Sequence, residues 1–218
     1  MTFSITARCE KTGMLGVAVS TARPAVGSLV PYVQSGVGAI ATQALVNPFY
    51  GIDGIKLLDE GKAPADVLAQ LLASDPDRER RQCAVVDKDG KAAGFTGKDT
   101  VPWQGHKIGP QFVVAGNMLT GQETIDAMFE TFQALKNESL PERLLAALAS
   151  GQEAGGDKRG RQSAALYVVA KEEYPLVDVR VDEHHEPVQE LIRIYKKCQE
   201  DLFPYTVNLV KRKEGATR

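Results

Sequence analysis

The residue with the most direct catalytic potential is the threonine at position two. The sequence begins Met1-Thr2-Phe3, and a residue as small as threonine permits removal of the initiator methionine. Thr2 would then carry a hydroxyl and a free α-amine, whose pKa of about 7.7–8.0 leaves a useful neutral fraction near pH 7. The amine can accept the hydroxyl proton, so one residue supplies both nucleophile and base. Many cytosolic proteins begin Met-Thr without such chemistry, so the rest of the chain must support this interpretation.

Two amide side chains stand at the ends of predicted strands, where they can face a pocket. Asn117 follows an apolar segment, and its amide can donate a hydrogen bond to a developing oxyanion. Capping the helix that begins after Gly121 is the alternative role of Asn117. Gln43 ends another strand and can line the same pocket, or it can bond only to backbone.

The densest polar cluster is the glycine-rich stretch from Gly155 to Ser163. Its arginines offer forked donors to a carboxylate or phosphate, which makes Arg161 a candidate binding residue. Ser163 opens an apolar strand and can face a pocket at the sheet edge, and Asp157 is a further candidate. A solvated surface loop is the alternative.

Other motifs do not indicate a cofactor or a metal. Residues 36–41 have the form Gly-x-Gly-x-x-Ala, but they belong to a predicted strand, whereas a dinucleotide fingerprint must open a helix. His184 and His185 are adjacent, so in a strand they would point to opposite faces, and His106 lies in a predicted loop. The Gly-x-Ser-x-Gly motif is absent. We expect neither cofactor nor metal.

Composition restricts the class of protein. The 218 residues carry a formal net charge of -2, which argues against a nucleic-acid or anionic-membrane partner. Cys9, Cys83 and Cys198 are odd in number and widely spaced, as expected for free thiols in a reducing compartment. No signal pattern or bilayer-length apolar segment occurs. The chain is therefore expected to be soluble and cytoplasmic.

The order of predicted elements is strands, two helices, strands, two helices, strands and one helix. Strands are predicted at 2–7, 14–20, 38–43, 82–86, 92–96, 112–115, 163–169 and 177–181, and helices at 52–60, 65–73, 122–135, 141–149 and 188–202. Tight turns join most strands, so the sheets should be mainly antiparallel. Internal strands that are apolar on both faces require two sheets packed face to face with helices outside. We predict an α+β fold, a four-layer αββα sandwich.

The chain has no internal repeat or linker that would mark a domain boundary. We expect a single domain over 1–218, with a core at about 2–203 and a C-terminal extension at 204–218. A homodimer is expected from the usual behaviour of soluble enzymes of this size.

Several stretches together resemble the domain-of-unknown-function 1028 (DUF1028) family over roughly residues 2 to 200. The matching stretches are 1–5, 15–19, 36–43, 82–87, 116–119 and 155–166. The resemblance implies the N-terminal nucleophile (Ntn) hydrolase-like superfamily and its αββα sandwich. It also implies that Thr2 is the nucleophile.

The leading hypothesis is an amidohydrolase that acts on a small amide or peptide-like substrate. Thr2 attacks the carbonyl, Asn117 donates to the oxyanion, and the pocket is lined by Gln43, Arg161, Ser163 and, more weakly, Arg23 and Asp157. The second strand carries no lysine, which many superfamily members place there, and Arg23 stays protonated and cannot replace it as a base. A non-catalytic small-ligand-binding module and an oligomeric scaffold are the alternatives.

Overall fold

The computed structural model describes residues 2–212. The predicted removal of Met1 and the last residues of the predicted C-terminal extension, 213–218, lie outside the described residues. The strands are β1 Thr2–Arg8, β2 Leu15–Thr21, β3 Pro31–Gln34, β4 Gly38–Ala44, β5 Arg81–Asp87, β6 Ala92–Thr96, β7 Gly105–Gly109, β8 Phe112–Asn117, β9 Ser163–Val169 and β10 Pro175–Val181. The helices are α1 Pro48–Asp59, α2 Pro64–Ala73, α3 Glu123–Ala134, α4 Leu140–Glu153, α5 Pro187–Asp201 and the short α6 Phe203–Thr206.

The strands form two antiparallel sheets. The six-stranded sheet has the order β10-β9-β2-β1-β8-β7, and the four-stranded sheet has the order β3-β4-β5-β6. Helices α4 and α5 pack on the six-stranded sheet and α1 and α2 on the four-stranded one, while β1, β2 and β8 face β4 and β5. The predicted α+β, four-layer αββα sandwich is confirmed.

Strand β1 lies at the centre of the larger sheet, and its alternating sequence divides its side chains between two layers. Phe3 and Ile5 point into the core beneath α3 and α4. Ser4 and Thr6 point between the sheets and are fully buried. A strand with an alternating polar face would be half-buried in a single exposed sheet, but β1 is buried on both faces because the second sheet covers its hydroxyl face. The layer between the sheets is otherwise filled by small and branched apolar residues of β2, β4 and β5.

Helix α1 begins earlier than predicted, at Pro48 and not at residue 52. Asn47 caps it by accepting a hydrogen bond from the Phe49 amide at 3.1 Å, and proline is well suited to the first helical turn. Gly51 lies against the ring of Tyr32, so closely that a Cβ there would meet the ring at 2.1 Å. Gly51 therefore lies inside α1, and its lack of a side chain lets the helix pack closely against Tyr32.

No helix within residues 2–212 has both the length and the apolar character needed to cross a membrane.

Candidate active site

Thr2 lies where three neighbouring strands bring hydroxyl and amide groups together. The β1–β2 hairpin pairs Phe3 with Ser20, so Thr2 lies beside Thr21 at the end of the hairpin. The Thr2 hydroxyl donates to the Thr21 hydroxyl at 3.3 Å. On the other side, Thr2 pairs directly with Asn117 of β8. Directly opposed residues of an antiparallel pair share one face of the sheet, so all three side chains point toward the layer between the sheets.

A cavity of about 350 Å³ opens beside Thr2. Its wall combines Thr2 and Thr21 with two arginines and a series of apolar residues. The lining residues are Thr2, Thr21, Arg23, Pro24, Ala25, Val26, Leu29, Val30, Ala44, Val46, Met118 and Arg159. The cavity is thus large enough for a small molecule at the first residue of the central strand.

Unusual backbone conformations are concentrated around this cavity. Ala25, Ala44 and Met118 have φ angles of 55°, 71° and 55°, and all three residues line the cavity. A non-glycine residue in this left-handed region costs on the order of 1 kcal/mol, and such residues often occur at functional sites. The loops after β2, β4 and β8 therefore turn sharply where they meet around Thr2.

Behind Thr2, a buried network of amide side chains joins the two sheets. The Gln82 carbonyl oxygen on β5 accepts hydrogen bonds from Gln43 at 2.8 Å and from Asn117 at 2.9 Å. The Gln82 amide nitrogen donates to the Gly116 carbonyl at 2.8 Å and the Gly105 carbonyl at 3.0 Å. One side chain of the smaller sheet thereby fixes the position of Asn117 in the larger sheet.

The network continues to the sheet edge through a threonine and a histidine. The Gln82 amide nitrogen has two hydrogens and reaches the Thr96 hydroxyl at 2.9 Å by sharing one of them with a carbonyl. That hydroxyl lies 2.8 Å from His106 Nδ1. Burial lowers the pKa of His106 and favours the neutral ring. Thr96 then donates to Nδ1, which places the ring proton on Nε2. His106 lies in β7 and not in a loop as predicted.

Gln43 approaches the backbone of Thr2. Its amide nitrogen is 3.5 Å from the Thr2 carbonyl oxygen, and its own carbonyl oxygen is buried without a hydrogen-bond partner among residues 2–212. Gln43 and Asn117 do not line the cavity; both lie behind Thr2 and are 1% and 2% exposed. Asn117 is the last residue of β8 and α3 begins only at Glu123, with Gln122 at the N-cap position. The alternative capping role of Asn117 is therefore not realised.

Asp157 and Ser163 organise the loop that borders the cavity. The buried Asp157 carboxylate accepts from the Ala22 amide at 2.9 Å and forms an ion pair with Arg159 at 3.1 Å. Ser163 donates to the Arg23 carbonyl at 2.6 Å and accepts from the Val26 amide at 3.1 Å. Neither side chain lines the cavity, but together they position the chain that carries Arg23.

Arg161 lies apart from the cavity. Its guanidinium forms an ion pair with Glu186 just before α5, and its side chain is 39% exposed. Of the predicted site residues, the structure therefore places Thr2 and Arg23 on the cavity wall and Asn117, Gln43, Asp157 and Ser163 behind it.

Three residues of this region were absent from the sequence-based candidates: Thr21, Gln82 and Arg159. Thr21 could have been found from the register of the first hairpin, which places it beside Thr2. Gln82 stands directly before the apolar residues 83–86 of β5, and a polar side chain in that place indicated a buried polar role. No sequence signal separated Arg159 from its neighbour Arg161.

The histidine pair lies outside the strands. His184 and His185 follow β10, in the turn before α5, and their rings are 4.3 Å apart. Adjacent histidines therefore do not point to opposite faces here, because the backbone is not extended. Within residues 2–212, no three His, Cys, Asp or Glu side chains are grouped as metal ligands would be.

The cysteines are free thiols in the described part of the chain. Complete burial raises the pKa of Cys83 to about 12, so its thiol stays protonated. For Cys9, burial would raise the pKa, but hydrogen bonds from Thr12 lower it below its ordinary value. Neither thiol lines the cavity beside Thr2.

Comparison with known proteins places the chain in a family. The model of the "Family of unknown function (DUF1028)" matches residues 2–191. The crystal structure of protein SPO2555 from Silicibacter pomeroyi, described with the same family, is 32% identical at a TM-score of 0.88, covering 96% of this chain and 94% of that chain. The comparison with curated proteins finds no match.

A second solved structure is more distant. Anbu (ancestral beta-subunit) from Yersinia bercovieri is 13% identical at a TM-score of 0.41, covering 97% of this chain and 99% of that chain. A similarity at this level carries no inference about function. The family match over residues 2–191 and the similarity to SPO2555 show that this chain belongs to the DUF1028 family.

Proposed function

We propose that this protein is an amidohydrolase whose nucleophile is Thr2, exposed as the first residue after removal of Met1, and that it acts on a small amide or peptide-like substrate. The observation that carries the proposal is the position of Thr2, which lies on the wall of a cavity of about 350 Å³ with its hydroxyl 3.3 Å from that of Thr21. The resemblance to Ntn hydrolases points to the same residue.

The reaction would proceed through an ester on Thr2. The α-amine accepts the hydroxyl proton while Oγ1 attacks the amide carbonyl carbon. The carbon–nitrogen bond breaks, the leaving amine takes the proton, and the acyl group remains on Oγ1. Water then attacks the ester with the α-amine again as base, and the acid leaves as Oγ1 recovers its proton.

Asn117 is the proposed oxyanion donor. Its side chain shares the sheet face of Thr2, with Cβ atoms of directly opposed residues about 4.5–5.5 Å apart. One amide N–H is held by Gln82, and an asparagine amide has a second. A fixed donor beside the nucleophile stabilises negative charge at little reorganisation cost.

Protein that begins at Thr2 tests the proposal, prepared with a leader that is cleaved directly before Thr2. We expect it to hydrolyse members of an amide library, whereas protein retaining Met1 should be inactive because the α-nitrogen is then an amide. Thr2→Ala should lower turnover by about 10³-fold or more, as for other enzymes that lose their nucleophile. Thr131→Ala on α3 is the matched control and should leave turnover unchanged.

The intermediate gives a second measurement. Intact mass after rapid quenching should show an acyl adduct on wild-type protein that is absent from Thr2→Ala. Undiminished turnover by Thr2→Ala would exclude the mechanism.

The remaining proposals concern the oligomeric state, the cellular location and the binding partners of the protein. We expect a homodimer in the cytoplasm, without cofactor, metal, nucleic-acid or membrane partner. Sedimentation at micromolar concentration tests the dimer directly.

A further inference from the structure

The cavity beside Thr2 has a distinct charge pattern. Arg23 and Arg159 line it, and no acidic side chain is among the described residues of its wall. The other lining side chains, apart from Thr2 and Thr21, are apolar. A ligand in this cavity would therefore contact apolar side chains, the guanidinium groups of the two arginines and the hydroxyls of Thr2 and Thr21.

The two arginines differ in how they are held. Arg159 is paired with Asp157, whose side chain is only 1% exposed and which also accepts from the Arg159 amide at 2.9 Å. This carboxylate offsets the charge of Arg159 and fixes its guanidinium. The Arg23 guanidinium forms neither a hydrogen bond nor an ion pair with another residue of the described range, although its carbonyl is held by Ser163. One positive charge on the cavity wall is thus left without a counter-charge.

Arg23 is close to Thr2 along the chain path. It lies two residues after Thr21, so their Cα atoms are at most about 7 Å apart. Thr21 itself is in contact with Thr2. Thr2 and Arg23 also line the same cavity of about 350 Å³, so one short ligand can contact both side chains.

We infer that the substrate carries a carboxylate a few bonds from the scissile amide, and that Arg23 binds this carboxylate. Arg159, which Asp157 anchors, adds a second guanidinium to the same wall. This inference rests on the proposed amidohydrolase function. Short ω-carboxy amides fit the pattern, because Val26, Leu29 and Met118 can contact the methylene groups between the two ends. A guanidinium binds a carboxylate through paired, charge-assisted hydrogen bonds.

Succinamate and its uncharged analogue butanamide are the test substrates, used with protein that begins at Thr2. We expect kcat/KM to be higher for succinamate by about 10-fold or more, the loss expected when one charged hydrogen bond is absent. Arg23→Gln should raise KM for succinamate by about 10- to 100-fold and leave butanamide unaffected. Arg23→Lys keeps the charge and should recover part of the loss. Arg193→Gln, on α5 with a side chain that is 65% exposed, is the matched control.

A binding measurement separates this inference from the proposed function. Calorimetry with succinamate on the Thr2→Ala variant requires no turnover, and we expect binding that Arg23→Gln in the same background weakens. Equal binding with and without Arg23, or equal hydrolysis of the two amides, would overturn the carboxylate site while leaving the amidohydrolase in place. Succinamate binding that depends on Arg23, without hydrolysis of any amide, would support the carboxylate site and overturn the proposed catalysis.

Discussion

At the scale of single residues, the Thr2 hydroxyl has a hydrogen-bond partner in the hydroxyl of Thr21. Thr21 contacts it at 3.3 Å and is itself only 2% exposed, so the packing around β2 holds this partner in place. A hydroxyl that is fixed relative to its base needs less reorganisation on the way to the transition state. Thr21 is therefore a positioning residue for the proposed nucleophile.

Replacing Thr21 with valine removes this partner while nearly conserving shape. We expect Thr21→Val to lower kcat by about 10- to 100-fold with little change in KM, because the contact orients Thr2 and does not bind substrate. Thr21→Ser should recover most of the activity. Steady-state kinetics on protein that begins at Thr2 measures both, with Thr131→Val as the control. Equal losses in Thr21→Ser and Thr21→Val would assign the effect to packing alone.

The predictability of the site differs from residue to residue. Thr2 was a candidate from the sequence because its proposed chemistry needs only its place in the chain, and Asn117 and Gln43 were candidates because polar residues at strand ends are conspicuous. The role of Gln82 was not predictable, since its partners come from both sheets and from residues up to 39 positions away. The net charge of the cavity wall depends on which arginine forms an ion pair with Asp157. The folded loop selects Arg159, and the sequence alone does not indicate this choice.

At the scale of elements, Asp75 connects two helices to a strand. It follows α2 and accepts from Arg81 Nε at 2.9 Å and from the α1 cap residue Asn47 at 3.2 Å. Burial alone would raise the pKa of Asp75, but the bonds from Arg81 and Asn47 hold it well below its ordinary value. Its folded pKa is thus below its unfolded value of about 3.9.

This depressed pKa predicts a pH dependence of stability. The contribution of Asp75 is fully present above about pH 4–5 and is lost as the pH falls toward the folded pKa. Asp75→Asn should cost about 3 kcal/mol at pH 7, since buried Arg81 loses its short ion pair and keeps only the longer contact with Asp77 at 3.8 Å. It should also flatten the acid limb of the stability curve. Urea unfolding between pH 2 and pH 7 measures both. Asp53→Asn, which disrupts only the exposed pair with Lys56, should change stability little at any pH, and a flat difference between wild type and Asp75→Asn would contradict the assignment.

Elements with periodic or apolar sequences were predictable, and short edge strands were not. The predicted strands at 92–96 and 163–169 have the same bounds as β6 and β9. Strands β3 and β7 were missed; they form outer edges of the smaller and the larger sheet. β3 begins with proline and β7 has glycine at both ends, so neither has the alternation that marks a strand in the sequence.

At the scale of the whole molecule, the layer between the sheets contains two kinds of buried polar group. The Ser4 and Thr6 hydroxyls have no hydrogen-bond partner among residues 2–212. Gln82, by contrast, bonds to side chains and carbonyls of both sheets. Buried polar groups stabilise a fold only when their partners are present, so these two kinds should respond in opposite ways to apolar replacement.

The two responses can be measured in one series of variants. Gln82→Met should destabilise the protein by about 3–5 kcal/mol, because it removes the buried hydrogen bonds that Gln82 makes with Asn117, Gln43 and two carbonyls. Thr6→Val removes a hydroxyl that has no described partner and should be neutral or stabilising by up to about 1 kcal/mol. Gln70→Met on the exposed face of α2 controls for the change of residue type.

Measuring turnover of the Gln82→Met and Thr6→Val variants tests whether the buried network also affects the proposed active site beside Thr2. Asn117 is held by Gln82, so Gln82→Met should also lower kcat at temperatures where the variant remains folded, whereas Thr6→Val should not. Thermal and urea unfolding, with kinetics on protein that begins at Thr2, give both quantities. Full activity in a folded Gln82→Met variant would mean that the proposed oxyanion donor does not depend on the contact between the sheets. The role assigned to Asn117 would then have to pass to a group that lines the cavity beside Thr2.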